Sequence, residues 1–515
     1  MKYLRSRLMP LPLWMALPMS AIGGILLGLA FPAAGIWPLA FVGPFLLFWA
    51  LVGRKVSSSF LVGLIGGAAF WGPMIFWLTL YLGPVPWLGL AGVQTVYMIL
   101  AAPLMSIAIN RGPLLWIVTW QRLVFVPLVV AGLWTAREAI AAVWPYGGFA
   151  WGRVAQSQSE SPIGPLVAWV GTAGLSFVIV WLSAFTLELI RTRTVVRLWP
   201  VVAAAVILLA VFPRFPVTTT GTVRIAAVQG NTKSGLFDHV IPGQNVIDHT
   251  QTTLTFVKQP VDLIVWPENA ADIDPIRFEQ SAKILTYLSK KYDAPLIVGT
   301  ITSPRDDVYF NSSLVWDAPT GLIAQYDKIH PVPFAEYMPN RDFFHALAPD
   351  LVDMVTHDYS FGTRSNVVNV NDLRIGLSIC FDIVDDQQIY DMLAGRAQVI
   401  LAQTNNADFG YSAESVQQLA IAKMRAMETG RSVVNISTVG VSSIMRPDGS
   451  VQSELQAHEP GAMTQDVLLS STTTSAMVIG RSVELLVSLI GLAGTVLVLS
   501  SRKTRRPVLV ENEDT

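Results

Sequence analysis

The sequence predicts a polytopic α-helical membrane bundle of about eight transmembrane helices, joined to one large α/β domain outside the lipid. The first observation behind this fold class is composition: 52% of the residues are hydrophobic and 14% are charged. Soluble domains carry about 25% charged residues, so part of this chain must lie in lipid. The second observation is the distribution of the apolar residues, which are concentrated on both sides of residues 217–476. That middle stretch has the composition of a soluble α/β domain.

Each candidate span is close to the ~20 residues that cross a bilayer, although the second and the seventh are near the lower limit. The eight spans are 12–31, 37–53, 60–82, 87–108, 123–143, 164–189, 197–213 and 482–500. The expected domains are therefore seven helices in 1–216, a catalytic domain in 217–476, and an eighth helix with a basic tail in 477–515. The basic, apolar N-terminus is also typical of a cleaved signal peptide, but six more spans follow it before residue 216, so we expect it to stay as the first helix.

Basic residues predict the orientation of the bundle. They precede the first span or follow the second, fourth, sixth and eighth spans: Lys2, Arg5, Arg7, Arg54, Lys55, Arg111, Arg122, Arg191, Arg193, Arg502, Lys503, Arg505 and Arg506. The opposite connections 32–36 and 83–86 carry no charge, and 144–163 carries only Arg153 and Glu160. By the positive-inside rule we expect both termini in the cytoplasm and the 217–476 domain on the extracytoplasmic face of a multi-pass membrane protein.

Charge and cysteine content narrow the function classes. The net charge of −1 argues against nucleic acid as a partner, because phosphate binding needs a surplus of basic residues. The single cysteine, Cys380, excludes an intramolecular disulfide, and the six histidines show no metal-binding spacing. We therefore expect no metal and no cofactor. In the fifth span, Arg137 and Glu138 either pair as structural charges or line a path for a polar headgroup, and the sequence favours neither.

The middle domain alternates β-type runs with helical patterns. Several of the runs are apolar without alternation, as expected for strands that are covered on both faces. The runs are 222–229, 261–267, 294–301, 312–317, 322–328, 373–380, 397–404 and 432–439. Helical patterns at 275–292, 384–394 and 414–428 separate some of them, and turn signals at 318–321 and 447–449 predict two hairpins. This pattern predicts a layered α/β domain with a mixed sheet.

Three of these strands end in residues that together suit thiol chemistry. Glu268 follows "LIVW", Lys328 follows "LIAQYD", and Cys380 follows "LRIGLSI"; Glu336 lies in the proline-rich loop after Lys328. Taken singly, Cys380 reads as an inert buried residue, Glu268 as a helix cap and Lys328 as a solvated charge. Taken together they offer a nucleophile, a proton acceptor and a cation at sheet ends, where α/β folds build sites.

These segments resemble a known family. "WPEN", "YDKIHPVPFAEYMP" and "SICFD" are similar to the Glu-Lys-Cys triad motifs of the nitrilase (carbon–nitrogen hydrolase) superfamily. A triad domain inserted before the last of eight transmembrane helices resembles the apolipoprotein N-acyltransferases, and this likeness covers essentially the whole chain. It implies a nitrilase-like αββα sandwich. It also implies that Glu268 is the general base, Lys328 stabilises the oxyanion, and Cys380 is the nucleophile.

The resemblance assigns supporting residues and has two departures. Glu336 matches a further acidic residue of the family's site. We also expect Phe381, through a nearby backbone N–H, and Asp382 to support the substrate or the oxyanion. The family usually has Cys-Tyr-Glu where this chain has Cys380, Phe381 and Asp382. It usually has Asn-Asp-Ala-Trp-Phe-Gly where this chain has "NNADFG" at 405–410. The triad is unchanged, so the departures bear on substrate selection more than on the chemistry.

The resemblance implies an acyltransferase of the bacterial inner membrane, expected to be a monomer. Its donor would be a phospholipid, its intermediate a thioester on Cys380, and its acceptor the α-amine of the diacylglyceryl-cysteine of an apolipoprotein. One alternative is a membrane-anchored nitrilase-type amidohydrolase, for which a soluble fragment of residues 217–476 should keep full activity on small amides. Another is a transporter or lipid-binding scaffold, in which Cys380 should be replaceable without loss.

Overall fold

The computed structural model describes residues 10–501 except 117, 195–196, 199, 201–202, 205–206, 209–210, 233 and 236–240. Its N-terminal part is a bundle of helices: α1 (Leu13–Leu29), α2 (Leu39–Leu51), α3 (Val56–Met74), α4 (Thr79–Leu82), α5 (Pro84–Arg111), α6 (Thr119–Ala141) and α7 (Val167–Thr192). The seventh predicted span, 197–213, includes residues outside the described part of the chain, and so do the N-terminal and C-terminal basic clusters.

Twelve strands follow: β1 (Thr219–Gln229), β2 (Leu263–Val265), β3 (Leu296–Arg305), β4 (Val308–Asp317), β5 (Gly321–Asp327), β6 (Val367–Val370), β7 (Leu373–Ile379), β8 (Val399–Thr404), β9 (Ser432–Ser437), β10 (Ser442–Met445), β11 (Val451–Leu455) and β12 (Gly461–Ser470). The helices between and after them are α8 (Gln244–Phe256), α9 (Glu279–Tyr292), α10 (Arg341–Leu347), α11 (Pro349–Asp353), α12 (Asp386–Ala394), α13 (Ala413–Thr429), α14 (Ser475–Ile479) and α15 (Ser482–Ser500).

The strands form two six-stranded mixed sheets. The first has the order β12-β1-β2-β3-β4-β5, and the second has the order β11-β10-β9-β8-β7-β6. In each sheet three neighbouring strands run parallel: β1, β2 and β3 in the first sheet, and β7, β8 and β9 in the second. All the other neighbouring pairs are antiparallel. Both predicted hairpins are confirmed, as β4–β5 and β10–β11.

The two sheets pack face to face between two helix layers. The apolar core between the sheets contains Ile225, Val265 and Ile297 of the first sheet and Leu377, Leu401 and Val434 of the second. Because side chains alternate along a strand, Ile264 and Trp266 point to the opposite face, where they pack with helices α8 and α9. Helices α12 and α13 cover the second sheet. The result is the predicted αββα sandwich.

The sandwich and the bundle share one apolar core. Ile421 and Met424 of α13 belong to the same buried cluster as Trp151 and Val154, which lie in the connection between α6 and α7. The second sheet and its helices are therefore the part of the domain that lies against the bundle.

Five described helical segments are long and apolar enough to cross a membrane: Val56–Met74, Pro84–Leu115, Thr119–Ala141, Gly164–Thr192 and Ser482–Ser500. Helices α1 and α2 are apolar but shorter, with 17 and 13 residues. Several long apolar helices are thus confirmed, whereas the number of crossings stays a prediction. The outer face of α15 exposes more than half of Leu485, Leu489 and Val496, as expected of a surface that meets lipid.

Small residues bring the last helix close to the bundle. A Cβ atom on Gly132 of α6 would lie 2.3 Å from the carbonyl oxygen of Val487, and one on Gly491 would lie 2.4 Å from the amide nitrogen of Leu133. Helices α6 and α15 therefore touch backbone to backbone, which is the usual packing in apolar surroundings.

Candidate active site

Glu268 is held at the carboxyl end of β2. The side chain is 5% exposed, and its Oε1 accepts a hydrogen bond of 2.7 Å from Asn311 Nδ2. The backbone N–H of Asn405, just after β8, donates a second hydrogen bond to it. Burial raises the pKa of Glu268 to about 7, the charge of Glu336 adds to the rise, and the Lys328 ammonium opposes it. This carboxyl is therefore poised to exchange a proton near neutral pH.

Lys328 follows β5, which runs in the same direction as β2, so both side chains lie at the same edge of the first sheet. The Lys328 side chain is 1% exposed, and its Nζ lies 2.8 Å from Glu336 Oε2. Burial alone would lower the pKa of Lys328, but the neighbouring acidic groups, with Glu336 the most important, outweigh it and raise that pKa above the usual range. The site thus contains a fixed ammonium group.

Glu336 is tied into the same network. Its Oε1 accepts a hydrogen bond of 2.6 Å from Asn311 Nδ2, and its Oε2 accepts one of 2.6 Å from the backbone N–H of Val332. The amide of Asn311 therefore bridges the carboxylates of Glu268 and Glu336, while Glu336 in turn holds Lys328. Asn311 is a site residue that the sequence analysis missed. The available signal was a run of polar side chains, "NSS", inside a strand that is fully buried at that point.

Cys380 begins a short 3-10 turn, Cys380–Val384, at the carboxyl end of β7. Its φ angle is +51°, a left-handed conformation that is uncommon outside glycine and often found at functional sites. The residue is partly exposed, unlike an inert core cysteine. Burial in the site raises the pKa of the thiol well above its usual value, the Glu268 charge adds to the rise, and Lys328 opposes it. The thiol is therefore protonated at rest and needs a base.

The structure brings together the residues that the sequence analysis placed at three separate strand ends. The charges of Glu268, Lys328 and Glu336 all act on the Cys380 thiol. Such a group can take a proton from sulfur, support attack of the sulfur on a carbonyl carbon, and stabilise the resulting oxyanion.

The two residues after the cysteine have different surroundings. Phe381 stacks on Phe149 and Trp151 of the bundle, with ring centroids 5.9 and 6.3 Å apart. Asp382 is buried. Its Oδ2 accepts a hydrogen bond of 2.8 Å from the Tyr326 hydroxyl and one of 3.0 Å from the backbone N–H of Ile379. Phe381 therefore packs the turn against the bundle, while Asp382 holds the turn to the α/β domain by hydrogen bonds.

The "NNADFG" segment also bridges the two parts of the protein. Asn405 Oδ1 accepts from the hydroxyls of Ser234 and Thr438, at 3.1 and 2.7 Å. The Phe409 ring packs edge-on against Trp77 of the bundle, with centroids 5.3 Å apart. The departure from the family pattern thus keeps an ordered loop beside Glu268.

Arg137 and Glu138 form a buried ion pair of 3.3 Å. Glu138 Oε1 also accepts hydrogen bonds from Trp134 Nε1 at 2.8 Å and from the backbone N–H of Val154 at 3.1 Å. These contacts favour the structural alternative, in which the pair holds the loop after α6. In the described residues, no group of three or more His, Cys, Asp or Glu side chains is arranged to hold a metal ion.

The αββα sandwich with a Glu-Lys-Cys site defines a protein of the carbon–nitrogen hydrolase class, here packed onto a membrane bundle. The family model described as carbon-nitrogen hydrolase matches residues 224–476, and the one described as apolipoprotein N-acyltransferase N-terminal domain matches residues 23–185. A curated apolipoprotein N-acyltransferase of Mycolicibacterium smegmatis is 31% identical, covering 92% of this chain and 84% of that protein. The chain belongs to the apolipoprotein N-acyltransferase family.

Other relatives agree with this assignment. Apolipoprotein N-acyltransferases of Geobacter metallireducens and Vibrio cholerae are 26% and 25% identical, covering 88% and 87% of this chain and 89% and 90% of theirs.

Among solved structures, a Nesterenkonia amidase of the nitrilase superfamily matches with a TM-score of 0.39 at 15% identity, over 52% of this chain and 97% of its own. The relatives are bacterial, and the apolar helices are consistent with a protein of the inner membrane.

Proposed function

We propose that the protein transfers an acyl chain from a phospholipid to the α-amine of the diacylglyceryl-cysteine at the N-terminus of apolipoproteins, through a thioester on Cys380. The observation that carries this proposal is that Cys380 is partly exposed and that the buried carboxyl of Glu268 and the buried ammonium of Lys328 both act on its thiol, in a chain of this family. The proposed catalytic residues are Glu268, Lys328 and Cys380.

In the first half-reaction Glu268 takes the thiol proton and the Cys380 sulfur attacks the ester carbonyl of the phospholipid. Lys328 and a backbone N–H near Phe381 stabilise the oxyanion. The ester C–O bond then breaks, and the leaving lysophospholipid oxygen receives the proton from Glu268. Glu336 supports this step because it holds the Lys328 ammonium in place.

In the second half-reaction the lipoprotein amine attacks the thioester carbonyl and gives a proton to Glu268. The carbon–sulfur bond breaks, the amide forms, and Glu268 returns the proton to the departing sulfur. A thiol suits both halves, because it attacks an ester and its thioester stays reactive toward an amine. Water must be excluded in between, since hydrolysis would waste the acyl group.

The bundle supports this choice of substrates. Both proposed substrates carry acyl chains, and removing a chain from lipid costs about 0.8 kcal/mol per CH₂. An enzyme that meets them at the membrane avoids that cost. The alternative, hydrolysis of small amides, would not need the bundle that packs against the catalytic sheet.

We also propose the arrangement of the chain in the membrane. Seven helices in 1–216 and the eighth in 477–515 would place both termini in the cytoplasm and the 217–476 domain outside it. The distribution of basic residues supports this topology. One copy of the chain supplies the three proposed catalytic side chains, so a monomer is sufficient.

The test is to incubate the full-length protein and its Cys380→Ala variant with phospholipid vesicles and to measure intact mass. We expect one added acyl chain on the native protein and none on the variant. We expect the variant to keep its fold and to lose transfer to a diacylglyceryl-peptide. An acyl adduct on the Cys380→Ala protein, or hydrolysis of small amides at rates that exceed acyl transfer, would contradict the proposal.

A further inference from the structure

The Cys380 sulfur has a hydrogen-bond partner outside the Glu-Lys-Cys group. Nε2 of Gln418, a residue of α13, lies 3.7 Å from Cys380 Sγ, within hydrogen-bond range for sulfur. Gln418 is 2% exposed, so its side chain is held in the protein interior. An amide that donates to sulfur favours the thiolate over the thiol. An amide turned the other way would present its oxygen and disfavour the thiolate, so the orientation of Gln418 decides its effect.

A second amide fixes that orientation. Asn406 Oδ1 accepts hydrogen bonds from the hydroxyls of Ser437 and Thr404, at 2.6 and 3.0 Å. Asn406 Nδ2 therefore faces away from these hydroxyls, and it donates a hydrogen bond of 3.1 Å to Gln418 Oε1. Because the oxygen of Gln418 is engaged by Asn406, its Nε2 is the group that faces the sulfur.

A buried carboxyl anchors the chain of amides. Glu414 lies at the start of α13 and is 3% exposed. Its Oε2 accepts a hydrogen bond of 2.7 Å from Asn406 Nδ2. A carboxylate only accepts hydrogen bonds, so it holds the nitrogen of Asn406, and not its oxygen, on this side. Glu414 thus sets the direction of Asn406, which sets that of Gln418. The proposed acyl transfer gives Glu414 and Gln418 no other task.

We propose that Gln418 is a further catalytic residue, whose amide stabilises the Cys380 thiolate, and that Glu414 is a positioning residue that acts through Asn406. The inference rests on the proposed function. In the first half-reaction the thiol proton still passes to Glu268, and Gln418 stabilises the sulfur anion without transferring a proton. In the second half-reaction the same N–H stabilises the sulfur as the carbon–sulfur bond breaks.

The test measures thiolate formation without lipid or lipoprotein, as the rate of Cys380 alkylation by iodoacetamide against pH in the full-length protein. The charged groups that act on the sulfur are Glu268, Lys328, Glu336 and Glu414, and they stay in place in Gln418→Met. We expect this variant to react about tenfold more slowly near pH 8, with its profile shifted up by about one pH unit and the rates converging at high pH.

Glu414→Asp and Gln388→Met complete the set. Glu414→Asp keeps the negative charge that acts on the sulfur but withdraws the carboxylate from Asn406 Nδ2, so it should shift the profile in the same direction by a smaller amount. It also provides the test if Gln418→Met does not fold. Gln388 is a buried glutamine that pairs with Asn366 at 2.8 Å, so Gln388→Met is a matched control that should leave the profile unchanged.

A Gln418→Met profile that coincides with those of the native protein and the control would overturn the catalytic role. A shift in Gln418→Met without one in Glu414→Asp would overturn the positioning role alone. If the native protein alkylates as expected but never gains an acyl chain from phospholipid, the proposed function fails and the role of Gln418 in thiolate formation stands.

Discussion

At the scale of single residues, the proposed mechanism makes the reaction of the Cys380 thiol depend on the charge state of the Glu268 carboxyl. Because burial raises its pKa to about 7, the carboxylate form that accepts the thiol proton is lost as pH falls through that value. We therefore expect the initial rate of Cys380 acylation by phospholipid to have an acidic limb with a midpoint near pH 7. A limb near pH 4.5, the ordinary value for glutamate, would contradict the account of the buried base.

The hydrogen bond from Asn311 identifies the group behind that limb. It favours the charged form of Glu268 and so lowers the pKa of that carboxyl. Asn311→Leu removes the donor at similar volume, and we expect the limb to move to higher pH. Asn435, another buried strand asparagine, donates to the Val441 carbonyl. Asn435→Leu should leave the limb in place, and an equal shift in both variants would assign it to a different group.

The site residues that belong to recognisable motifs were identified from the sequence. The residues whose role depends on how they pack in three dimensions were missed. Glu268 and Cys380 follow strongly apolar strands and Lys328 follows the more mixed run "LIAQYD", so the sheet edge could be predicted to collect all three. Asn311 and Gln418 lie within a strand and a helix, among other polar residues, and their importance depends on which neighbour each amide meets. Only the three-dimensional structure provides that information.

At the scale of single elements, the turn Cys380–Val384 holds Cys380, the proposed nucleophile, in a conformation that the backbone does not favour by itself. Asp382 keeps it there by accepting from Tyr326 and from the Ile379 N–H. Asp382→Ala leaves a buried hydroxyl and a buried N–H without their acceptor, which costs about 1–3 kcal/mol. We expect a lower thermal unfolding midpoint and slower Cys380 acylation.

Asp382→Asn is the matched control for that turn, since it keeps one oxygen acceptor at nearly the same volume. It should retain most of the stability and of the acylation rate. If Asp382→Ala acylates as fast as the native protein, the turn does not depend on this carboxyl.

The elements of the domain were largely predictable. All eight predicted β-type runs overlap strands, and the helical patterns at 384–394 and 414–428 match α12 and α13 closely. Helix α9 begins at Glu279 and not at 275, because the side chain of Asp274 accepts from the Ile276 N–H and closes a separate turn. Strands β6 and β12 were missed. Both lie at sheet edges, where strands need not be uniformly apolar.

At the scale of the whole molecule, a buried ion network joins the catalytic domain to the bundle. Arg153, in the connection after α6, lies 2.7 Å from Asp386 and 3.9 Å from Glu484 of α15. Arg425 of α13 contacts the same Asp386 at 2.7 Å. Burial alone would raise the pKa of Asp386, but the two guanidinium groups outweigh it and hold that pKa below its usual range. Asp386 is thus charged at neutral pH and depends on both arginines.

The same network contacts the turn that begins at Cys380. Arg425 donates to the carbonyl oxygens of Ile383 and Val384, at 3.0 and 2.7 Å. The bundle, the last helix and the turn that carries Cys380 therefore share one set of charges. This linkage explains why the catalytic domain and the bundle belong to one working unit, which neither the apolar spans nor the triad motifs predict.

Arg153→Met tests the linkage. Removing one partner of a buried ion pair leaves charges without compensation, and we expect a loss of about 3–5 kcal/mol in stability. The measurement is thermal unfolding in detergent, together with limited proteolysis between the bundle and the domain. Arg224→Met, at the exposed Arg224–Asp466 pair, is the control and should cost far less, because solvent screens an exposed pair. Equal losses in the two variants would show that the network does not hold the parts together.

The central claim is that Cys380 carries the acyl chain between the two substrates. The most direct test is to load the native protein with phospholipid, remove the free lipid, and then add a peptide with an N-terminal diacylglyceryl-cysteine. Intact mass should show the acyl adduct on Cys380 disappearing at the rate at which the same chain appears on the peptide α-amine. An adduct that persists while the peptide is acylated, or peptide acylation that requires free phospholipid to be present, would contradict the account.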